Sequence, residues 1–402
     1  MGNIKNIANM LKPNHDEINR QKFVSILRKK ILVDFAEDMK SVYKNKVEPK
    51  FNDLNSRLPS NGREIRTHML KEMIFKGWSS LRYNAQLMTW LSVKSCIERD
   101  LSKMIELSNK IQKLNPTGGS LSLDSNVKVP REITELDIHL MPGCFHTEYT
   151  DHDVAQGALY HYGTSVFSGG LQHRKLVKGS VGTSIANFLK IAFPNFKPDK
   201  ILDIGCTAGA NTIPYGEIFS NAEIHGIDIG ASLLRFAHAR AESENIPIHF
   251  HQKNALETGF ESNTFDFITS SFFFHEVSVK DTNKILKECY RLLKPGGLML
   301  HMELPPSNET DPYYNFYLDW DAFYNNEPHY LKFRELDFES LMNDIIAFTN
   351  HKKSEELSSV VKISSEKQRK YKSKHKYDLS KFGLTKKKIE KDCKKYYETF
   401  IN

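Results

Sequence analysis

The chain has 402 residues, 40% of them hydrophobic and 26% charged, a balance that excludes a fibrous or wholly disordered protein and leaves room for two or three folded units. The net charge of +7 is concentrated at one end: residues 351–402 carry 16 Lys or Arg against 7 Asp or Glu, so the remainder sums to −2 and offers no obvious basic groove. The strongest apolar run, Ser271-Phe-Phe-Phe274, is far shorter than the roughly 20 residues of a membrane span.

The start, Met1-Gly-Asn-Ile-Lys-Asn6, has no apolar signal region, and Asn6 stands where a myristoylation signal needs Ser or Thr, so a cytoplasmic protein is expected. Cys96, Cys144, Cys206, Cys289 and Cys393 are scattered and odd in number, which argues against a disulfide framework or a structural zinc site.

In chain order, Phe23, Ile26, Leu27, Ile31 and Phe35 recur at helical spacing and predict an amphipathic helix over 16–46. A second helical region from Glu64 to Leu114 is too long for one helix and should be interrupted near Gly77. Residues 1–115 therefore read as an all-α domain. The turn-rich Asn115-Pro-Thr-Gly-Gly-Ser-Leu-Ser122 marks a boundary, and 116–186, rich in Gly, His and Tyr, reads as a linker and cap.

Between residues 187 and 306 short apolar runs alternate with helical stretches, the texture of β-α-β units around a parallel sheet. Strands are expected at Lys200 to Asp203, Glu223 to Asp228, Ile248 to Gln252, Phe265 to Ser270 and Leu298 to Met302. Helices should lie near Asn211 to Phe219, Ser232 to Glu244 and Asp281 to Leu293, the last stopped by Lys294-Pro-Gly-Gly297. An aromatic extension, 307–350, and the basic tail, 351–402, follow.

The segment Ile201-Leu-Asp-Ile-Gly-Cys-Thr-Ala-Gly-Ala210 is a strand running into a glycine-containing turn and then a helix, a place where backbone approaches a ligand closely. Asp228, about 23 residues beyond Gly205, closes the second strand, where a carboxylate can accept hydrogen bonds from both hydroxyls of a ribose. A dinucleotide site would carry G-x-G-x-x-G, but Gly205, Thr207 and Ala210 occupy those places. Asp203 before the turn is ill suited to a pyrophosphate and well suited to a sulfonium or a methionyl amine. The residues favour S-adenosylmethionine over NAD.

With these motifs the chain resembles the class I S-adenosylmethionine-dependent methyltransferases, in particular the type 11 small-molecule group that includes the ubiquinone and menaquinone methyltransferases. The resemblance covers about residues 195 to 306. It rests on Asp203 to Gly209, Gly226-Ile-Asp228, Asn254-Ala-Leu256, Phe265-Asp-Phe-Ile-Thr-Ser270 leading to Phe274-His-Glu276, and Leu292-Leu-Lys-Pro-Gly-Gly297. It implies that Asp203, Gly205, Thr207 and Gly209 surround the methionine end of the cofactor, Asp228 with Ile229 the ribose, and Asn254 with Ala255 the adenine. Thr207 replaces the family's usual Gly and Asn254 its usual Asp.

Methyl transfer needs alignment and exclusion of water more than covalent help. If a general base takes part, the candidates at strand ends are His275, Glu276 and Glu303, with His301 on the fifth strand; alternatively His275 only shapes the pocket. The aromatic stretch Pro312 to Tyr324 could wall an acceptor or pack onto the helical region. The histidines between His139 and His173, with His249, His251 and His301, raise a metal question, but no pair has a recognised metal spacing on one helix, so no metal is expected and a metal-assisted methyltransferase is the minor alternative.

The expected fold class is α/β, a Rossmann-like doubly wound, mostly parallel sheet with an N-terminal all-α domain; by the family pattern two further strands would follow the fifth. The helical domain would cover the cofactor site or form a homo-oligomer contact. The acceptor is expected to be a small or carrier-attached metabolite. A nucleic-acid methyltransferase gripping through the tail and a non-catalytic cofactor-binding module are the rival readings.

Overall fold

The computed structural model describes residues 5–168, 180–338 and 340–341. The chain enters along one helical path: α1 (His15–Lys29), a π-helical turn, α2 (Ala36–Val42), a second π-helical turn and α3 (Glu48–Asn55). Asn14 and Glu17 start α1 with a reciprocal capping box, satisfying two backbone donors that the first turn would leave unpaired.

Next come α4 (Gly62–Met69) and α5 (Met73–Leu114), a single helix of 42 residues. The expected interruption near Gly77 is thus displaced: the break falls between Met69 and Met73, and α5 runs through Gly77. Gly in a helix costs about 1 kcal/mol. Here Phe75 and Trp78, buried on either side of it, offset that cost through tertiary packing.

Then follow β1 (Ser120–Ser122), α6 (Arg131–Glu135), α7 (Ala155–Ser165), α8 (Val181–Ala192), β2 (Lys200–Ile204), α9 (Ile213–Ile218), β3 (Glu223–Asp228) and α10 (Ala231–Ser243). The described chain ends with β4 (His249–Gln252), β5 (Phe265–Ser271), α11 (Val279–Leu292), β6 (Leu293–Met302), α12 (Pro312–Tyr324) and α13 (Tyr330–Arg334). The strands form one six-stranded sheet in the order β1-β4-β3-β2-β5-β6, every neighbouring pair parallel. This is the α/β, Rossmann-like doubly wound architecture, and its order reverses at β2, so a crevice opens at the carboxyl ends of β2, β3 and β5.

Two local expectations change. The turn-rich stretch before residue 123 supplies β1, which pairs Ser120 with His249 and Ser122 with His251 and covers the edge of β4. Lys294-Pro-Gly-Gly297 follows the end of α11 at Leu292 as expected, but it also lies inside β6, which starts at Leu293 rather than Leu298, and the ladder to β5 absorbs it by a register shift between Phe265 and Phe267. The two further strands of the family pattern fall outside the described residues. Among the described residues no helix is long and apolar enough to cross a membrane.

Helical residues of α8, α9 and α10 pack on the sheet through Ile185, Leu189, Tyr215, Leu234 and Ala237 against Ile201, Ile224, Phe250 and Phe267. A separate core joins α5 to α7 and α10 through Trp90, Ile97, Leu159, Tyr162 and Phe236. The aromatic residues of α12 bury Tyr313 and Phe316 against Ile65, Met69, Phe75 and Trp78 of the N-terminal helices, so the packing alternative holds for that stretch.

Gly157 decides how closely α7 can approach α10: a Cβ there would stand 2.3 Å from the Phe236 Cβ and 2.9 Å from the Ser232 carbonyl. Gly157→Val should therefore overpack this crossing and lower stability by about 1–3 kcal/mol, read as a lower urea midpoint with an unchanged slope.

On the sheet, His225 stacks on His251, its Nδ1 lying 3.0 Å from the His251 Nε2, with His249 at 5.1 Å centroid distance. Burial and the neighbouring His225 push His251 down to about 4, and burial pushes His301 to the same value. Both are depressed bases, so their stabilising effect is present above about pH 6.5 and is lost as pH falls towards 4. Thermal midpoints should drop over that interval, and His251→Gln should flatten the drop; an unchanged midpoint from pH 7 to 5 would contradict this.

Candidate functional site

A cavity of about 420 Å³ opens at the crevice, a size that suits a small ligand. Gly205, Thr207, Asp228, Ile229, Asn254 and Ala255 all line it, so the turn after β2 and the ends of β3 and β4 meet as the spacing implied. Gly205 has φ +69° and a Cβ on it would stand 2.5 Å from the Phe273 ring, which makes glycine the fitting residue there. Thr207 is also left-handed, at φ 45°, a conformation that a β-branched residue adopts only under constraint.

That constraint is visible. Asp228 Oδ2 accepts the Thr207 backbone N–H at 2.9 Å, and Oδ1 accepts the Gly230 N–H at 3.0 Å. The Ile229 backbone N–H also favours its charged form, and a carboxylate with about four acceptor positions keeps some capacity beyond these. Burial pushes Asp228 up to about 6. Asn254 holds its own turn by accepting the Leu256 N–H and donating to the Lys128 carbonyl, each within 2.9 Å.

Asp203 and Gly209 do not line the cavity. Asp203 lies behind the turn, accepts from the Thr212 hydroxyl at 2.6 Å, and is pushed up to about 7 by burial. Gly209, at φ +73°, meets Ala237 of α10 and lets the turn pack on that helix.

The candidates after β5 and β6 come together with residues that sequence reasoning did not single out. His275 and Glu276 line the cavity; Glu303 does not. Glu303 Oε1 accepts the backbone N–H groups of Phe273 and Phe274, each at 2.6 Å, and its Oε2 lies 2.8 Å from His275 Nδ1. It holds a turn whose first residue, Phe272, has φ 56°. On its other side His275 Nε2 stands 3.4 Å from Glu276 Oε1. His301 is bonded to the Ser270 hydroxyl at 2.9 Å, away from the cavity.

The new members are His139, Asn325 and Glu327. His139 Nε2 lies 2.7 Å from Glu276 Oε1 and its Nδ1 3.2 Å from Glu327 Oε1. Burial alone would lower His139, but the charges of Glu276 and Glu327 outweigh it and raise it to about 10. His275 is likewise raised well above its ordinary value against the effect of burial, by Glu276 and Glu303. Glu276, despite burial, is held well below the usual carboxylate range by His139 and His275. Two imidazolium groups and the carboxylates around them thus form one buried network.

His139 is itself strained, with φ 57°, and its carbonyl is clamped by Trp90 Nε1 at 2.7 Å and Gln86 Nε2 at 3.0 Å, both from α5. Two acceptors in this network have no partner: Glu276 Oε2 and Asn325 Oδ1, the latter on a side chain only 7% exposed. The richness of residues 123–180 in histidine was the one sequence signal for His139; Asn325 and Glu327 had none. None of residues 312–324 lines the cavity, whereas Asn325, Glu327 and Tyr330 do.

Comparison with known proteins agrees with the geometry of the core. A family model described as "Methyltransferase domain" matches residues 201–297. Demethylmenaquinone methyltransferase of Thermus thermophilus is 33% identical over 109 residues, 27% of this chain and 49% of that protein. Phosphoethanolamine N-methyltransferase of Plasmodium falciparum is 29% identical over 153 residues, 38% of this chain and 52% of that protein. The chain spans about half the length of these curated relatives. Among solved structures, phosphoethanolamine N-methyltransferase 2 of Haemonchus contortus aligns over 53% of this chain and 48% of its own, at 19% identity and a TM-score of 0.33. The motif order, the doubly wound sheet and the matched residues together make 201–297 a methyltransferase domain.

Proposed function

We propose that the protein transfers the methyl group of S-adenosylmethionine to a small or carrier-attached acceptor bound in the cavity. The observation that carries this reading is Asp228: it closes β3 at the carboxyl end of the sheet, lines the cavity, and keeps acceptor capacity beyond the backbone N–H groups of Thr207, Gly230 and Ile229. That capacity suits the hydroxyls of a ribose. Gly205 and Thr207 would receive the methionyl end, with Asp203 fixing the turn from behind, and Ile229, Asn254 and Ala255 would enclose the adenine.

When bound, the sulfonium supplies a methyl carbon whose bond to sulfur breaks as a bond to the acceptor's lone pair forms; positive charge passes to the acceptor, a neutral thioether remains, and a protic acceptor gives one proton to water. The protein's part is alignment. His275, held as an imidazolium between Glu303 and Glu276, cannot take a further proton, so we assign it a positioning role rather than that of a general base. Glu303 fixes the turn that presents it. Glu276 Oε2 and Asn325 Oδ1 are the acceptors left for an N–H or O–H of the incoming molecule.

The nucleic-acid reading draws no support from this cavity, whose basic residues Arg28, Arg82 and Lys253 stand among apolar rings and carboxylates rather than along an open basic groove. Incubation with methyl-labelled cofactor and a fractionated cell extract tests the proposal: label should enter the small-molecule or carrier fraction, and nuclease-sensitive label would overturn it.

S-adenosylhomocysteine should raise the thermal midpoint as a native-state ligand does. Asp228→Ala should weaken its binding by about 1.5–3 kcal/mol through lost hydrogen bonds to a charged acceptor, measured by isothermal titration on folded protein. Because Asp228 must be ionised to accept from two hydroxyls and titrates near 6, the dissociation constant of the wild type should rise as pH is lowered from 7 to 5. That dependence should be largely absent in Asp228→Ala.

A further inference from the structure

The cavity has a second charged pole, opposite in sign to the His139–Glu276 network. Arg28 of α1 lines it, half-buried, with its guanidinium 4.3 Å over the Phe167 ring. Its polar contacts are the Gln86 Oε1 and, at 3.4 Å, the Thr89 hydroxyl. Arg82, beside it, is paired with Asp321, but no carboxylate of the described residues stands within ion-pairing distance of Arg28. Burial and the charge of Arg82 push Arg28 down to about 10, although Asp321 offsets part of this from a distance. A desolvated cation with no direct ion-pair partner among the described residues is costly unless something neutralises it, and a guanidinium presents its N–H groups as a fork that fits the paired oxygens of a carboxylate or phosphate.

The two poles are close. Gln86 accepts from both Arg28 and Arg82 through Oε1 and donates through Nε2 to the carbonyl of His139, whose ring reaches Glu276. At this pole Glu276 Oε2 and Asn325 Oδ1 are acceptors without partners. One pole therefore offers a guanidinium with no ion-pair partner among the described residues, the other unmet oxygen acceptors beside clustered carboxylates.

Resting on the methyltransferase reading above, we propose that the methyl acceptor is a compact molecule bearing an amine at one end and an oxyanion at the other, the oxyanion on Arg28 and the amine on Glu276 and Asn325. A carboxylate and a phosphate monoester present the same chemistry to Arg28. A neutral acceptor would leave Arg28 uncompensated, and an acid without a donor would leave Glu276 Oε2 and Asn325 Oδ1 unmet.

The test begins with the labelled product formed from the extract, run by electrophoresis at pH 2 and pH 7. A product with both a cationic and an acidic group is expected, and phosphatase sensitivity separates a phosphate ester from a carboxylate; a product with no acidic group overturns the proposal. Arg28→Gln should raise the KM for that acceptor at least tenfold while the dissociation constant of S-adenosylhomocysteine stays that of the wild type, which also reports the fold. Arg28→Lys should recover part of the loss, and a KM unmoved in Arg28→Gln overturns the assignment. Absence of S-adenosylhomocysteine binding by the wild type would instead defeat the methyltransferase reading. His139, Glu276 and Glu327 could also hold a metal ion, their ligand atoms lying within 4.8 Å of one another. Activity abolished by EDTA and restored by Mg²⁺, with Mg²⁺ bound in equilibrium dialysis and lost in Glu327→Gln, would overturn the amine subsite in favour of a cation.

Discussion

The site depends on one electrostatic requirement: carboxylates buried at the end of the sheet must be paired. Glu276, Glu303 and Glu327 come from three separate segments and converge on His139 and His275. A lone buried carboxylate is strongly unfavourable, and removing one partner from such a network leaves the other uncompensated. Each segment is therefore held by the others' charges. The turn after β5, the loop carrying His139 and the segment after α12 are tied to one another by that pairing, together with ring contacts of His275 on Tyr330 and Phe333.

The N-terminal helices are part of this arrangement. α5 reaches the cavity because α7 packs closely between it and α10, where Gly157 removes the side chain that would hold α7 away from Phe236. From that position Trp90 and Gln86 grip the carbonyl of His139 and hold a backbone conformation with φ 57° that would otherwise relax. The same helix supplies Arg82, and α1 supplies Arg28. The sheet thus provides the proposed cofactor pocket, while the helices and the segment after β6 provide its opposite wall. This division follows from doubly wound topology, in which strand ends carry the common ligand and added elements carry specificity.

Legibility in the sequence varied with the range of the interactions involved. The five core strands were readable because short apolar runs report local burial, and the turn from Asp203 to Gly209 because left-handed backbone demands particular residues. The helix break near Gly77 was misplaced because propensity was overridden by the burial of Phe75 and Trp78. Lys294-Pro-Gly-Gly297 correctly marked the end of α11, but it hid the early start of β6, since pairing with β5 tolerates an irregular register. Ser120 to Ser122 gave no strand signal because an edge strand of three residues has almost no periodicity to show.

By itself, the sequence determined the fold of the core and that Gly205, Thr207, Asp228, Ile229, Asn254 and Ala255 would share one crevice, because strand–turn–helix units encode both within a few dozen residues through hydrophobic period and backbone conformation. Only the tertiary structure decided the other wall. Arg28, Gln86, His139 and Glu327 are separated by up to about 300 positions, none belongs to a motif, and only folding brings them to Glu276, which does. They meet because helix packing brings α1 and α5 over the crevice and because buried charges must find partners. No spacing rule records such long-range pairing, and it is there that the polarity presented to an acceptor is set.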